Sequence, residues 1–465
     1  MIIIAYNVSM FNKKEIDMVH GPLVKNIFSF AVPLMLTLLL QVLFNAADII
    51  VVGKFSGETA LAAVGATSSV VFFITSLFNG ISTGCNVVIS KWIGANNLEK
   101  VHKAVHTSIW LSIVGGILLT LIGCAISYPF LQLLSTPTNI IDLSDLYIKI
   151  YFGGAIFLLV YDFGTAILRS KGDTTRPLLY LAVSGVLNVV LNIFFVVALH
   201  MGVAGVALAT VIAQGVAAIC VCYTLLNEND ATRVSLKEIK LDVSLAKDIL
   251  RIGVPAGLQS VIFSLSNLVV QSSINSFDNT SIIAGNSAAI NLENFVYIGM
   301  TAFMQATISF TSQNVGAKNY KAIKKIMLLT LVLCVGSGAL VGGILALNGH
   351  FFLSFYTDSQ EVSDWGMYRL CLVTFPLAIQ GISDVLIGSM RGMGYSILPT
   401  ICMLAGICGI RLFWLAAIFP HFHTLEMVYM CFPVSWSLTG LLQIGLWIYA
   451  YHSFLKKQDT ENEVQ

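Results

Sequence analysis

Long apolar stretches alternate with short polar segments along the whole chain. Each stretch reaches about 20 residues, the length that an α-helix needs to cross the hydrocarbon core of a bilayer. Because lipid offers no hydrogen-bond partner to the backbone, a helix is the expected form of such stretches. The pattern predicts twelve membrane-spanning helices, near residues 27–52, 60–88, 104–128, 146–168, 178–199, 202–225, 249–274, 281–311, 326–347, 366–390, 397–419 and 427–452.

The composition supports a membrane protein. Of the 465 residues, 57% are hydrophobic and 11% are charged, with a mean hydropathy of +0.84, whereas soluble domains carry about 25% charged residues. We therefore predict an all-α integral membrane protein surrounded by the lipid bilayer. The net charge of +1 indicates no nucleic-acid partner. The first residues lack a cleavable signal, and Met10 is an alternative start.

The distribution of lysine and arginine predicts the orientation. With the N-terminus in the cytoplasm, the inner segments hold 21 of the 25 basic residues. Such an excess is typical of cytoplasmic loops. We therefore expect a multi-pass protein of the cell (plasma) membrane with both termini in the cytoplasm.

Two segments repeat one pattern at a distance of 222 residues: "YDFGTAILRSKGDTTRP" (161–177) and "SDVLIGSMRGMGYSILP" (383–399). Six predicted spans separate the copies, so both have the same orientation. Parallel repeats of this kind occur in transporters, which place the substrate path between the repeats. A duplication kept for packing alone is the alternative, but little mass lies outside the membrane to perform another function. We predict two six-helix lobes with pseudo-two-fold symmetry: residues 1–225, a cytoplasmic linker at 226–245, and residues 246–465.

Polar residues inside the first predicted span form one helical stripe. Asn45 and Gln41 precede Asp48 by three and seven residues, so the three side chains share a face. An ionisable group in hydrocarbon costs at least a few kcal/mol and indicates function. Spans 5 and 6 add further polar groups, for which hydrogen bonding between helices is the alternative role: Asn188, Asn192 and Thr210.

The second half has different ionisable groups, and Val270 stands where Asp48 would repeat. Glu293 and Arg411 lie at similar depths below the outer face, which predicts an ion pair between them. Asp384 matches Asp162 in the repeat, near the inner helix ends. For these two acids a helix cap and a gate remain alternative roles.

Taken together, these features resemble the MATE (multidrug and toxic compound extrusion) family. The resemblance rests on the two lobes, "NAAD" (45–48) after a span-1 proline, "GANN" (94–97) with "GAKN" (316–319), and "R.KGDT..P" after span 4. It implies an antiporter coupled to H⁺ or Na⁺ that exports drugs or organic metabolites by alternating access of a cleft between the lobes. We expect a cationic or amphipathic small organic substrate, a monomer, no cofactor, and no enzymatic activity.

The resemblance also implies site residues in the first half. The family's cation site falls on Asp48, Gln41, Asn188 and Thr210, and its helix-bending proline falls on Pro33. Many members carry a second aspartate in span 5, where this chain has Asn192. This departure favours a cycle with one coupling ion.

Other functions fit the sequence less well. A lipid-linked saccharide flippase of the same broad superfamily would have a more basic cleft, whereas this chain offers only Arg411 and Arg369 there. A channel would need a continuous polar pore. A membrane enzyme would need a constellation of catalytic residues, and none is found. We place His102 and His106 on the surface rather than in a metal site.

Overall fold

The computed structural model describes residues 15–134 and 136–463, with side chains up to residue 460. The alternative start at Met10 lies outside these ranges. The structure is 86% helical, and the described residues contain no strand. The prediction of an all-α protein is confirmed.

The first half of the chain forms seven helices that cover the six predicted spans. A bend of 49° at Gly154 divides the fourth span into two helices, and a π-helical segment, Phe194–Ala198, extends the fifth. In chain order the helices are α1 (Leu23–Phe55), α2 (Gly57–Gly94), α3 (Leu98–Leu133), α4 (Ile141–Gly153), α5 (Ala155–Ser170), α6 (Thr175–Ile193) and α7 (Gly202–Leu226).

The second half repeats this arrangement, with a bend of 42° in the tenth span. π-Helical segments occur at Leu370–Thr374 and Leu404–Gly409. In chain order the helices are α8 (Val243–Asn275), α9 (Thr280–Gly316), α10 (Tyr320–Leu347), α11 (Gly349–Leu353), α12 (Gln360–Arg369), α13 (Ala378–Gly392), α14 (Ile397–Met403), α15 (Ile410–Ala417) and α16 (Leu425–Glu463).

Nine helices of the described part are long and apolar enough to cross a membrane, and eleven spans result if each bent pair counts as one. The remaining predicted span corresponds to α9, which has 37 residues and is about 55 Å long. Its length exceeds the thickness of a bilayer core, but polar residues such as Asn286, Asn291 and Glu293 lower its hydropathy.

The repeated glycine ends a helix in each half. Gly172 and Gly394 both have φ of +91°, a left-handed conformation that residues with a side chain rarely adopt. The N–H of Asp173 donates to the carbonyl of Leu168 at 3.0 Å, which completes a Schellman cap at the end of α5. The repeat of this glycine is therefore explained by helix termination.

The chain divides into two compact units. The first contains Val32–Gly257 and the described residues up to Asp17, and the second contains Met18–Ala31 and the described residues from Leu258 onward. Helices α1 and α8 thus each contribute to both units, and the change occurs within three residues of Pro33 or Pro255. The lobe boundaries at residues 225 and 246 stay a prediction.

Small and aromatic residues pack these helix starts within their units. In the first unit, a Cβ atom at Gly80 or Gly84 of α2 would overlap the backbone of α8, so the two helices approach closely, as small residues allow in membranes. In the second unit, Phe30 of α1 packs edge-on against Phe310 of α9, with ring centroids 5.8 Å apart.

The linker after α7 is held against α3. The Ser235 N–H donates to Nε2 of His106 at 3.0 Å, and the Asp242 N–H donates to Thr107 Oγ1 at 3.1 Å. His106 is only 2% exposed, so its predicted surface position is wrong, because the linker covers this part of α3. His102 is partly exposed and bonds Glu238 at 2.7 Å.

Candidate functional site

A cavity of about 440 Å³ lies within the first unit. Helices α1, α2 and α4 to α7 contribute to its wall. The stripe of polar residues on α1 faces this cavity, as the helical spacing predicts: Gln41, Asn45 and Asp48 all line it. Asn188 of α6 and Thr210 of α7 line it as well.

Asp48 is surrounded by neutral hydrogen-bond donors. The Asn192 amide donates to one carboxylate oxygen, and the Thr210 hydroxyl lies 3.4 Å from the other. The amide of Asn188 bonds Thr210 at 3.3 Å, and Asn192 also donates to Asn188 Oδ1 at 3.2 Å. The residues predicted for spans 1, 5 and 6 are therefore brought together, and no basic residue of the described ranges forms an ion pair with Asp48.

This arrangement suits a small cation. Asp48 is 9% exposed and Asn192 is fully buried, and Oδ1 of Asn192 has no hydrogen-bond partner in the described part of the chain. Oxygen atoms are the ligands that hard cations prefer, and a carboxylate among neutral groups can equally accept a proton. Burial without a countercharge is costly, so either event would remove an unfavourable charge.

Two other clusters have the composition of metal sites, but protein atoms already occupy them. Glu15, Glu228 and Asp230 converge on the ammonium group of Lys171, which lies 2.9 Å from Glu15 and 3.1 Å from Glu228. In the cluster of His102, His106 and Glu238, both ring nitrogens of His106 are already hydrogen-bonded.

Asp162 lies in the wall of the same cavity as Asp48. The internal repeat matches Asp162 with Asp384, which belongs to the second unit. The repeat therefore does not predict that Asp162 shares a cavity with Asp48. The polar neighbours of Asp384 are Gln380 and Arg391. An acid within a membrane helix by itself indicates function. The sequence gave this signal for both Asp162 and Asp384.

The predicted ion pair between Glu293 and Arg411 is wrong. Glu293 instead binds Arg369, whose Nε and Nη2 atoms donate to its two oxygens at 2.8 and 2.9 Å. Thr374 adds a hydrogen bond to Glu293 at 3.0 Å. Similar depth in the membrane does not determine which helices are neighbours, and it is α12, carrying Arg369, that packs along α9.

Arg411 is held by neutral groups and aromatic rings. It is fully buried, and it donates to Asn267 and Ser435, each at 3.1 Å. Its guanidinium lies 4.4 Å from the ring centroid of Phe432 and 5.6 Å from that of Trp436. Its Nη2 atom has no hydrogen-bond partner among the described residues.

Each polar centre adjoins a π-helical segment. One begins at Phe194, two residues after Asn192. A second begins directly after Arg369, and a third ends two residues before Arg411. Short π-helical insertions are frequent at functional sites, and the sequence pattern gave no signal for them.

Pro33 lies inside α1, which continues as one helix from Leu23 to Phe55. The carbonyl of Pro33 accepts a hydrogen bond from the Thr37 hydroxyl at 2.8 Å. A bend at this proline stays a prediction.

Comparison with known proteins agrees with the duplicated architecture. The MatE family model matches residues 33–194 and 255–414, so the two matches begin at Pro33 and Pro255, which are 222 residues apart. The chain is 28% identical over 448 residues to the probable multidrug resistance protein YoeA of Bacillus subtilis (strain 168), covering 93% of this chain and 94% of the relative. It is 24% identical to the multidrug export protein MepA of Staphylococcus aureus (strain MSSA476), over 90% of both chains.

A solved structure shares the fold. It is described as the outward-facing conformation of a multidrug resistance MATE family transporter of the MOP superfamily, and it has a TM-score of 0.89 and 22% identity. The likeness covers 96% of this chain and 99% of that chain, which confirms the predicted fold of twelve spans in two lobes. Because the family model matches well over half of the residues, in both halves of the repeat, the chain belongs to the MatE family.

Proposed function

We propose that the protein is a cation-coupled antiporter that exports drugs or organic metabolites by alternating access. The names of the relatives, multidrug resistance and multidrug export proteins, support the substrate class. The observation that carries the coupling role is the Asp48 carboxylate, buried among neutral donors at the wall of a cavity.

In this mechanism, Asp48 alternates between a charged and a neutralised state. A proton or Na⁺ on the carboxylate removes a buried negative charge, and α1 then repacks, with Pro33 as the bend point. A substrate and the coupling ion exclude each other from the cavity, which gives antiport. Because Asn192 is neutral, one positive charge suffices for each cycle, and we favour a proton over Na⁺.

The test is transport of ethidium, a fluorescent organic cation, in proteoliposomes with proton and sodium gradients imposed separately. We expect the wild-type protein to respond to the proton gradient. Asp48→Asn keeps the shape of the side chain but removes its charge, so gradient-driven transport should be abolished while the folded protein remains. Normal transport by Asp48→Asn would contradict the proposed coupling site. A response to sodium alone would contradict the choice of ion.

We further propose that the protein lies in the plasma membrane with both termini in the cytoplasm. Asn229 and Thr280 are both exposed, so cysteines at these positions are accessible to reagents. After replacement of the exposed Cys371, an impermeant maleimide should label Thr280→Cys in intact cells and Asn229→Cys only after lysis. The reverse pattern would contradict this topology.

The flippase alternative is less well supported. Binding of a lipid-linked phosphate requires accessible basic groups. Arg369 and Arg411 are at most 3% exposed, and Arg369 already binds Glu293.

A further inference from the structure

We propose that Asp162, rather than Asp48, binds the positive charge of an organic cation in the cavity of the first unit. This inference deepens the proposed function and rests on it in one respect, which is that an exported substrate enters this cavity. It assigns the two acids of one cavity to different cations.

The two carboxylates differ in what already surrounds them. Asp48 has a hydrogen bond to each oxygen and is 9% exposed. Asp162 is only half-buried, and within residues 15–134 and 136–460 no side chain forms a hydrogen bond or ion pair with its carboxylate. Arg169, two turns further along α5, interacts electrostatically with Asp162, but the two side chains do not form an ion pair. Asp162 therefore has binding capacity left for a ligand.

The wall beside Asp162 suits a bulky cation. Tyr151 and Tyr161 line the cavity on the same part of the chain, and Phe44 and Phe72 line it from α1 and α2. Aromatic faces attract organic cations by cation–π interaction. The volume of about 440 Å³ lies within the range of small-molecule sites. A cavity with one free acid and several rings thus has the groups that an organic cation requires.

Access also separates the two acids. Asp48 is 9% exposed and bonds the fully buried Asn192, which leaves little of its carboxylate accessible to a bulky cation. Asp162 is more open to the cavity. An organic cation at Asp162 and an inorganic cation at Asp48 would then repel each other within the same cavity, which couples their binding without direct contact.

The internal repeat provides a competing explanation and a matched control. Asp162 precedes Arg169 by seven residues, and Asp384 precedes Arg391 by seven. If each acid serves only as a countercharge for its arginine, both substitutions should have the same effect. Asp384 belongs to the second unit and has Gln380 as a further polar neighbour. A ligand-binding role predicts that only the substitution at Asp162 weakens binding of an organic cation.

The experiment measures equilibrium binding of tetraphenylphosphonium to the purified full-length protein in detergent. No gradient is present, so the result does not depend on whether transport is coupled. We expect Asp162→Asn to weaken binding by about tenfold or more, the effect of losing one close charge pair. Asp162→Glu should retain most of the affinity because it keeps the charge. Asp384→Asn should stay within about twofold of wild type. Asp48→Asn should weaken binding clearly less than Asp162→Asn does, because Asp48 acts on the bound cation only across the shared cavity.

Three outcomes would overturn the inference. Asp162→Asn could bind as tightly as wild type. Asp384→Asn could weaken binding as much, which would indicate a countercharge effect. Asp48→Asn could weaken it as much, which would show that the two acids do not have separate roles. Failure of the separate proteoliposome test would instead contradict the proposed transport function and leave these binding results unchanged.

A second measurement needs no variant. Dicyclohexylcarbodiimide adds to protonated carboxyl groups, and peptide mass spectrometry locates the adduct. On the wild-type protein, tetraphenylphosphonium should slow labelling of Asp162 by about tenfold when the ligand is present at about ten times its Kd. It should leave labelling of Asp384 unchanged. Equal labelling of Asp162 with and without the ligand would contradict the inference.

Discussion

The polar centres of the two halves differ in how their charges are compensated. In the first half, Asp48 has only neutral partners and faces a cavity. In the second half, Glu293 is neutralised by Arg369 through two hydrogen bonds, and Phe432 lies 5.1 Å from Arg369 and 4.4 Å from Arg411. The centre in the first half has an acid beside a cavity, without a basic partner among the described residues. In the centre of the second half, the acid is paired with an arginine, and aromatic side chains pack around that arginine.

This difference indicates which centre can exchange ions. A charge that the protein itself does not neutralise gains free energy when a mobile cation binds. A charge already paired within the protein gains little from a mobile ion, and loss of its partner is costly. In the proposed mechanism, the first half therefore supplies the acid that exchanges ions, whereas the second half contains an ion pair between Glu293 and Arg369. The two halves share the fold although most of their side chains differ.

The turns that follow α5 and α13, which contain Gly172 and Gly394 and which we call the inner turns, differ as well. In the first half, Lys171 bonds Glu228 and Asp230 of the linker. The equivalent residue in the second half is the buried Met393. Both turns keep the left-handed glycine, so the backbone is conserved between the copies while the charge is not.

The largest effect is expected at Glu293. Glu293→Gln leaves Arg369 buried without a countercharge, which should cost about 3–5 kcal/mol of stability. Asp48→Asn is the comparison, and it should cost about 1 kcal/mol or less, because Asp48 has no charged partner to leave behind. Thermal unfolding followed by size-exclusion chromatography in detergent measures both. Equal losses would contradict the distinction between a fixed pair and an exchangeable acid.

Two double variants identify the partner of Glu293. Glu293→Gln with Arg369→Gln should be less harmful than Glu293→Gln alone, because both members of the pair are removed. Glu293→Gln with Arg411→Gln should show additive losses, as expected for residues that do not interact directly. Rescue by Arg411→Gln instead would contradict the observed pairing.

The sequence predicted the features that depend on local spacing. The apolar stretches located the helices, and the three-and-seven spacing before Asp48 placed Gln41 and Asn45 on the wall of its cavity. Features that depend on helix neighbours and rotation were not predictable in this way. Depth in the membrane alone suggested Arg411 as the ion-pair partner of Glu293. The packing of α12 on α9 instead places Arg369 beside Glu293. The resemblance implied Asn188 and Thr210, but neither it nor the repeat placed Asp162 in the cavity.

The smaller effect is expected at the inner turn, where Lys171→Met introduces the residue of the second half. Lys171 is 5% exposed and Glu228 is 1% exposed, but Glu228 keeps Arg176 at 2.6 Å, so we expect a loss of about 2 kcal/mol. Hydrogen exchange of residues 227–235 should increase because the linker loses its anchor. Lys103→Met is the control, since its pair with Glu99 is exposed and should contribute nothing measurable.

The pH dependence of this loss follows from the pKa shifts. Burial would raise the pKa of Glu228, but the charges of Lys171 and Arg176 outweigh it and lower the pKa. Burial would lower the pKa of Lys171, but its bonds to Asp230 and Glu15 raise it. A glutamate whose pKa is lowered by folding stabilises the fold at pH values above its unfolded pKa of about 4.3. A lysine whose pKa is raised by folding stabilises the fold at pH values below its unfolded pKa of about 10.4. The difference in stability between wild type and Lys171→Met should therefore be constant from about pH 6 to 9 and should shrink as the pH falls below about 4. A difference that persists unchanged at low pH would show that Lys171 acts through packing rather than charge.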